Sequence, residues 1–343
     1  MAALAAVPAA DRRAVVLYGA AAAQGGPDEA DTLVQVETVQ AALASLGYAV
    51  TLMAVDLDLA PVARLARRRF DLVVNLVESL RGDGRLIHLV PAVLESVGVC
   101  FTGAPAAAIA ASTDKILAKR LMRDAGIPTP DWCDGDSIGD LTDPHARYII
   151  KSVCEDASIG LDAGSVVAVA DVHQEIAARQ ARFGGAWFAE RYIEGREFNL
   201  SILEGARGRQ VLPVAEIHFV DYPADRPRIV DYEAKWLAGS FAFDHTPRHF
   251  IEDGADASLV AELRRLALEC WRLFGMRGYA RVDFRVDAAG RPWVLEVNAN
   301  PCLSPDAGLM AVAERAGLTV TDVIAMIAAA AQPRRHRMTA TAV

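Results

Sequence analysis

Residues 280–301 read ARVDFRVDAAGRPWVLEVNANP. Val282, Phe284 and Val286 alternate with Arg281, Asp283, Arg285 and Asp287, the period of a half-buried strand. A turn signal follows at Asp287-Ala288-Ala289-Gly290, after which Trp293, Leu295 and Val297 alternate with Glu296 and Asn298. A tight turn about Ala289-Gly290 predicts Val282 opposite Val297, Phe284 opposite Leu295 and Val286 opposite Trp293. One face is then apolar, and the other sets Asp283 against Glu296 and Arg281 against Asn298. A one-residue slip would divide the apolar residues between the two faces. Carboxylates opposed across a ladder repel, so a cation belongs between them. Two carboxylates and an amide carbonyl form the hard oxygen set that suits Mg2+. The alternative is an exposed acidic face neutralised by Arg281 and Arg285.

The rest of the chain sets the context for this hairpin. At 343 residues it is long enough for two or three domains with a sizeable core. A net charge of −9 argues against a nucleic-acid backbone as partner. Five cysteines without CxxC spacing favour a reducing compartment and give no zinc signature. The start, MAALAAVPAA, lacks a basic n-region and reads as a frayed leader, and no run approaches a membrane span. A cytoplasmic protein with neither nucleic-acid nor membrane partners is expected.

Upstream, RAVVLYGA, YAVTLMAVD, FDLVVNLVES and VCFTGA read as strands. ADTLVQVETVQAALASLG and LVPAVLESVG read as the helices between them. This alternation predicts a parallel sheet wrapped by helices, with ligands at the carboxyl ends of the strands. STDKILAKRLMRDAG predicts one helix capped by Ser112 or Thr113 and stopped by Gly126. ARYIIKS, GSVVAVA, WFAERYI and EFNLSILEG then predict antiparallel strands around one helix, and helices close the chain from Leu309. Lys151 ends a buried strand beside a flexible loop, where it suits a phosphate oxygen or simply snorkels. Lys115 lies in the first turn of its helix, against the helix dipole. Glu190 and Glu197 flank the Gly195 turn. Lys235 sits in a long polar and aromatic loop of the kind that forms lids. No histidine stands near Cys302 in sequence, so a small-residue role suits it better than a nucleophile.

Six stretches, TDKILAKRLMRDAGIPTP, YIIKSVCEDASIG, AERYIEGREF, DYEAKW, GYARVDFRVD and LEVNANPCLSPDAGLMAVAERAGL, occur together in order. In this the chain resembles the ATP-grasp superfamily, in its D-alanine–D-alanine ligase-like branch, from about Val15 to Ala330. The resemblance implies an α/β plus α+β protein with the ATP-grasp fold. Its parts would be an N-terminal Rossmann-like domain (11–105), a central subdomain (106–187), a C-terminal subdomain with the metal hairpin (188–331) and a disordered tail (332–343). It implies that Lys115 and Lys151 hold the α- and β-phosphates of ATP. Glu190 and the main chain through Arg191, Tyr192 and Ile193 would line the adenine pocket, and Glu197 would take the ribose. Lys235 would reach the transferred phosphate. Asp283, Glu296 and Asn298 would bind Mg2+ or Mn2+, and Arg281 would stabilise the reacting carboxyl group. The implied partners are small amino-acid substrates and, as is common in the family, a second copy of the chain in a homodimer.

The departures fall on the substrate side. The phosphate loop reads CEDASIG, with Ala157 at the first of two usual serines. Trp236 replaces the Tyr that usually closes the lid motif, so the usual Ser–Tyr contact is absent. Cys302 and Ala307 stand where D-alanine ligases carry a Gly and a carboxylate-gripping Ser. Glu78 stands at a usual His, and Asp28 or Glu29 is the candidate for the acid that grips the first amine. The expectation is an ATP-dependent carboxylate–amine ligase, with a specialised ligase of a natural-product pathway as one alternative. A non-catalytic ATP-binding regulator is the other, disfavoured by the intact basic and acidic set.

Overall fold

The computed structural model describes residues 12–20, 27–134, 143, 145–155, 157–205, 208–252, 254 and 256–331. The side chains of 27–29 and the expected disordered tail 332–343 lie outside the described residues. The chain opens with β1 (Arg12–Gly19), α1 (Pro27–Ser45), β2 (Tyr48–Val55), α2 (Ala60–Ala63), β3 (Leu72–Asn75) and α3 (Leu89–Ser96). The three strands form a parallel sheet in the order β2-β1-β3. β1 reads as a continuous apolar run because both its faces are covered, with Ala14 to Leu17 fully buried. The strand expected at VCFTGA shrinks to one parallel bridge between Phe101 and Val73. Gly103, at φ +86°, turns the chain away immediately afterwards.

α4 (Ala106–Thr113) and α5 (Lys115–Asp124) replace the single helix expected here. Ser112 and Thr113 close the first helix, and Asp114 caps the second by accepting from Leu117 N–H at 2.9 Å. Gly126, at φ +73°, ends α5 as expected. β4 (Trp132–Asp134), β5 (Arg147–Ser152), β6 (Val166–Ala168), α6 (Val172–Phe183) and β7 (Trp187–Arg191) follow. Their antiparallel sheet has the order β4-β7-β5-β6, closed by a core of Tyr148, Ile150, Ile176 and Trp187. This sheet runs through Arg191. The apolar faces of α4 and α5 join a core with Phe198, Leu200, Val282 and Val297, while Lys119 of α5 pairs with Glu190 of β7.

β8 (Arg196–Gly205), β9 (Gly208–Val211), β10 (Ala215–Ile217), α7 (Tyr232–Trp236), α8 (Phe241–Asp244), β11 (Arg248–Phe250), α9 (Ala257–Phe274), β12 (Tyr279–Val286), β13 (Pro292–Asn298), α10 (Gly308–Arg315) and α11 (Val320–Ala330) complete the chain. The large sheet has the order β11-β10-β8-β12-β13, with β9 paired to β8. α9 covers it with Leu263, Leu266, Ala267, Cys270, Trp271 and Phe274, a helical stripe of apolar residues. Each large side chain so buried contributes about 1.5–3 kcal/mol relative to exposure. A further core joins Leu203, Ala215, Tyr279, α10 and α11 to Val36, Val39 and Leu72 of the N-terminal unit.

The hairpin keeps its expected register only at the metal end. Arg281 faces Asn298, Val282 faces Val297 and Asp283 faces Glu296. A bulge then intervenes, so Phe284 faces Val294 rather than Leu295, and Val286 faces Pro292 rather than Trp293. The connection spans Asp287 to Arg291, closed by Gly290 N–H to Asp287 O at 2.9 Å and Asp287 N–H to Arg291 O at 3.1 Å. Leu295 is the extra residue. Val294 and Val297 go to the core, while Leu295, Glu296 and Asn298 all line the opposite side.

Candidate active site

A cavity of about 550 Å3 opens between the two antiparallel sheets, within the range of small-molecule sites. It is lined by Lys115, Lys151, Glu190, Arg191, Tyr192, Ile193, Glu197, Lys235, Arg281, Asp283, Glu296 and Asn298, and at one end by Glu78, Cys302 and Ala307. Asp28 and Glu29 lie outside the described residues as far as their side chains are concerned. Asp31, one helical turn beyond Asp28, lines the cavity.

The sheet register builds the acidic floor. β8 and β12 pair Asn199 with Asp283 and Glu197 with Arg285, and β13 brings Glu296 to the other side of Asp283. Arg281 holds Asp283 through Nε to Oδ1 and Nη2 to Oδ2, both at 2.8 Å, and lies 3.7 Å from Glu296. Asn199 adds Nδ2 to Asp283 Oδ1 at 2.8 Å. Burial pushes the Asp283 carboxyl up; Arg281 opposes this and Glu296 reinforces it. For Glu296 burial also acts upward, but Lys115, Arg281, Lys151 and Lys235 together hold it low. Arg285 takes no part in neutralising this pair, since it binds Glu197 at 2.7 Å.

Among the described residues no cluster of three or more His, Cys, Asp or Glu forms a metal cage. The donors here are two facing carboxylates and the Asn298 amide, whose oxygen also accepts from Asn300 N–H at 2.8 Å. That donor set fits a magnesium-like ion, which commonly takes one or two carboxylates and completes its shell from phosphates and water.

The lysines are set by α5. Its buried stripe is Lys115, Ala118, Lys119 and Met122, the i, i+3, i+4, i+7 pattern usually filled by apolar residues. Lys115 Nζ reaches Glu155 O at 2.8 Å. Lys119 is fully buried, donates to Thr129 Oγ1 at 2.8 Å and pairs with Glu190. Glu190 also holds Lys151 Nζ at 2.7 Å. Burial works against its ionisation, but Lys119 and Lys151 prevail and keep its carboxyl low. Glu190 therefore meets the cavity as the anchor of two lysines.

After Arg191 the chain leaves the sheet. Arg191 and Tyr192 spend their N–H groups on Asp131 O and Arg147 O, both at 2.8 Å, and among the described residues the main chain of Ile193 makes no such bond. Gly195 is required at the turn, because a Cβ there would sit 2.0 Å from Val286 O.

Above this lies the segment expected to form a lid. Asp231 caps α7 by accepting from Ala234 N–H at 2.8 Å, which sets Lys235 and Trp236 over the cavity. The Ser–Tyr contact is replaced by a different latch. Trp236 Nε1 donates to Ala157 O at 2.9 Å, Ser158 Oγ donates to Val230 O at 2.9 Å and Tyr232 N–H donates to Leu161 O at 3.1 Å. Ala157 and Ser158 both adopt φ +59°, a left-handed conformation costing roughly 1–2 kcal/mol per residue. The latch bonds offset that cost. Trp236→Phe keeps the ring and removes the donor. It is expected to raise the KM for ATP about fivefold, the worth of one hydrogen bond, and to increase substrate-independent ATP hydrolysis; steady-state phosphate release checks both.

The family model described as the D-ala D-ala ligase C-terminus matches residues 141–329. A D-alanine–D-alanine ligase of Synechococcus sp. (strain JA-3-3Ab) is 34% identical over 72% of this chain and 72% of its own length. The uncharacterized protein y4sG of Sinorhizobium fredii is 32% identical over 77% of this chain and 74% of its own. The chain belongs to the D-alanine–D-alanine ligase family. The crystal structure of the Bacillus anthracis D-alanine–D-alanine ligase complexed with ATP superposes with a TM-score of 0.71, covering 93% of this chain and 97% of that one. At 22% identity the likeness is one of fold, and the fold is ATP-grasp with a Rossmann-like N-terminal unit. Among the described residues no helix is long and apolar enough to cross a membrane.

In this family member the far end of the cavity is a network that sequence reasoning located only in part. Ser304 Oγ donates to Asp31 Oδ1 at 2.7 Å, and Cys302 Sγ donates to Asp31 Oδ2 at 3.0 Å. Gln35 joins Leu303 N–H, at 3.0 Å, to Glu78 Oε1, also at 3.0 Å. Burial, then Glu78 and Asp31, push the Cys302 thiol up, which disfavours the thiolate a nucleophile needs. Ala307 sits at the start of α10 with no side-chain cap. Asn199 could be found from sequence, because alternation in EFNLS places it with Glu197 and Ser201. Asp31 follows Asp28 by one turn. Lys119 and Arg248 carry no such signal.

Proposed function

We propose that the chain is an ATP-dependent carboxylate–amine ligase that joins two amino acids through an acyl phosphate. The observation that carries this reading is the gathering of Lys115, Lys151, Lys235 and Arg281 in one cavity with Asp283 and Glu296, beneath a latched lid. Four cations around two acids suit a nucleotide triphosphate with its metal.

Lys115 and Lys151 bind the inner phosphates, with Lys151 oriented by Glu190. Ile193 offers its main chain to the adenine, and Glu197, steadied by Arg285, accepts from ribose hydroxyls. Asp283, Glu296 and Asn298 would hold Mg2+ or Mn2+, which when bound supplies counter-charge for the γ-phosphoryl group. Lys235 neutralises that group as the substrate carboxylate oxygen attacks phosphorus and ADP leaves. The amine of the second substrate then attacks the acyl carbon. Arg281 and the N–H of Cys302 stabilise the tetrahedral oxyanion, inorganic phosphate departs with the C–O bond pair, and the amine loses its proton. The neighbouring N–H of Leu303 is already bound to Gln35. A latched lid excludes water that would hydrolyse the acyl phosphate.

Ala307 favours a pair other than two D-alanines, since the hydroxyl that would grip the second carboxylate is missing. Purified protein with Mg2+ and ATP should release ADP only when a suitable amino-acid pair is supplied, as a pairwise screen with mass detection of the product checks. Release with D-alanine alone would point to cell-wall dipeptide formation, and release with an unusual pair to a specialised ligase. Tight ATP binding with no turnover across the panel would sink the ligase reading in favour of a regulator.

A further inference from the structure

Arg248 opens β11 at the edge of the large sheet, paired across the ladder with Ile217. Its side chain lines the same cavity as the acidic floor. The residue is exposed, and among the described residues its guanidinium has no hydrogen bond and no ion pair. Its Nη2 lies 3.7 Å from where a Cβ on Gly308 would stand, which places the guanidinium beside the start of α10. Burial pushes its pKa down, Arg281 pushes it down further, and only Asp306 pulls the other way. Among the described residues no carboxylate pairs with this guanidinium, so it is available to an anionic group of a ligand.

The neighbours indicate which anion. Glu296 feels Lys115, Arg281, Lys151 and Lys235, whereas Arg248 feels Arg281 and Asp306. Arg281 thus belongs to both sets. On the ligase reading it holds the reacting carboxyl group, with the phosphates toward the lysines and the amine toward Arg248. An α-amino acid carries its carboxylate carbon two bonds from the attacking nitrogen. That carboxylate would fall beside Ala307 and Gly308, where no side-chain hydroxyl is present.

We propose that Arg248 determines specificity for the amine substrate by binding its α-carboxylate in place of the hydroxyl that position 307 lacks. The substrate class is an amine with a free carboxylate on the adjacent carbon. A guanidinium binds such a group through two parallel N–H donors, whereas a hydroxyl gives one. The assignment rests on the ligase reading above and extends it to the second substrate.

The test uses the pair that releases most ADP in the pairwise screen, with the amine partner offered as its free acid and as its primary carboxamide. The wild type should prefer the acid by about tenfold in kcat/KM, the worth of a charge-assisted hydrogen bond at a site open to solvent. Arg248→Gln should lose most of that preference through the KM of the amine, with the KM for ATP within about threefold of wild type. Arg248→Lys, which keeps charge without the planar fork, should fall between them and serves if the Gln variant folds poorly. An acid preference intact in Arg248→Gln, or a rise confined to the KM for ATP, would overturn the assignment while leaving the ligase reading in place. Absence of ADP release by the wild type across the whole panel would remove the ligase reading and this assignment with it.

Discussion

Glu296→Gln should lower turnover by on the order of a thousand-fold, because it removes a carboxylate that would hold the cation at the point where phosphoryl charge accumulates. Asp283→Asn should do the same, yet the two should move stability in opposite directions. The Glu296 carboxyl is held low by Lys115, Arg281, Lys151 and Lys235 against the effect of burial. Its charge therefore stabilises the fold above the ordinary carboxylate range, and that stability is lost as pH falls through the lowered folded value. Asp283 is raised by burial and by Glu296, so its ionised form costs stability at neutral pH. That cost disappears as pH falls through the raised value. Melting at pH 7.5 without nucleotide or metal should show Glu296→Gln below wild type and Asp283→Asn above it, with both differences shrinking on acidification. Near-normal turnover in either variant, or shifts of the same sign in both, would remove the assignment of this pair to metal and phosphate chemistry.

The hairpin shows how far alternation carries and where it stops. The pairing of Asp283 with Glu296 follows from period two on each strand, but the bulge at Leu295 does not, because two successive residues on one face leave no mark in an apolar run. Trp236 looked like a lost contact because a residue-type comparison treats it as a missing phenol. Three-dimensional placement reveals an indole donor that finds a main-chain carbonyl instead. Asp31 was missed for a neighbouring reason: the acidic PDEAD run offers several carboxylates, and helix phase decides which one meets Ser304. Arg248 stands in a short edge strand after a long lid, where nothing in the sequence says which cavity it enters. What was legible depended on local period. What was not depended on how distant elements close over one cavity.

Lys119→Met is expected to destabilise the chain by about 3–5 kcal/mol, the cost of breaking a buried ion pair by removing one partner. Amphipathic reading of α5 would assign Ile116, Leu117 and Leu121 to the core, yet Leu117 is 39% exposed and Lys119 only 1%. The lysine occupies that position because Glu190 is buried with it, and Thr129, itself bonded to Val294 O at 2.8 Å, completes its shell. The chain of contacts runs from β13 through Lys119 and Glu190 to Lys151 at the cavity wall. Methionine fills the space but leaves Glu190 with Lys151 as its remaining cation, which draws that lysine inward and away from phosphate. Nucleotide affinity should therefore fall together with stability in Lys119→Met. Lys151→Met, whose side chain is 15% exposed, should lose affinity with a smaller loss of stability. Adding Glu190→Gln to Lys119→Met should recover part of the stability by removing the uncompensated charge, but not the affinity, because Lys151 is then unanchored. Urea unfolding and calorimetric titration with ATP separate the two effects. A Lys119→Met variant as stable as wild type would show that Glu190 needs only the lysine at the cavity wall, and the buried relay would have to be abandoned.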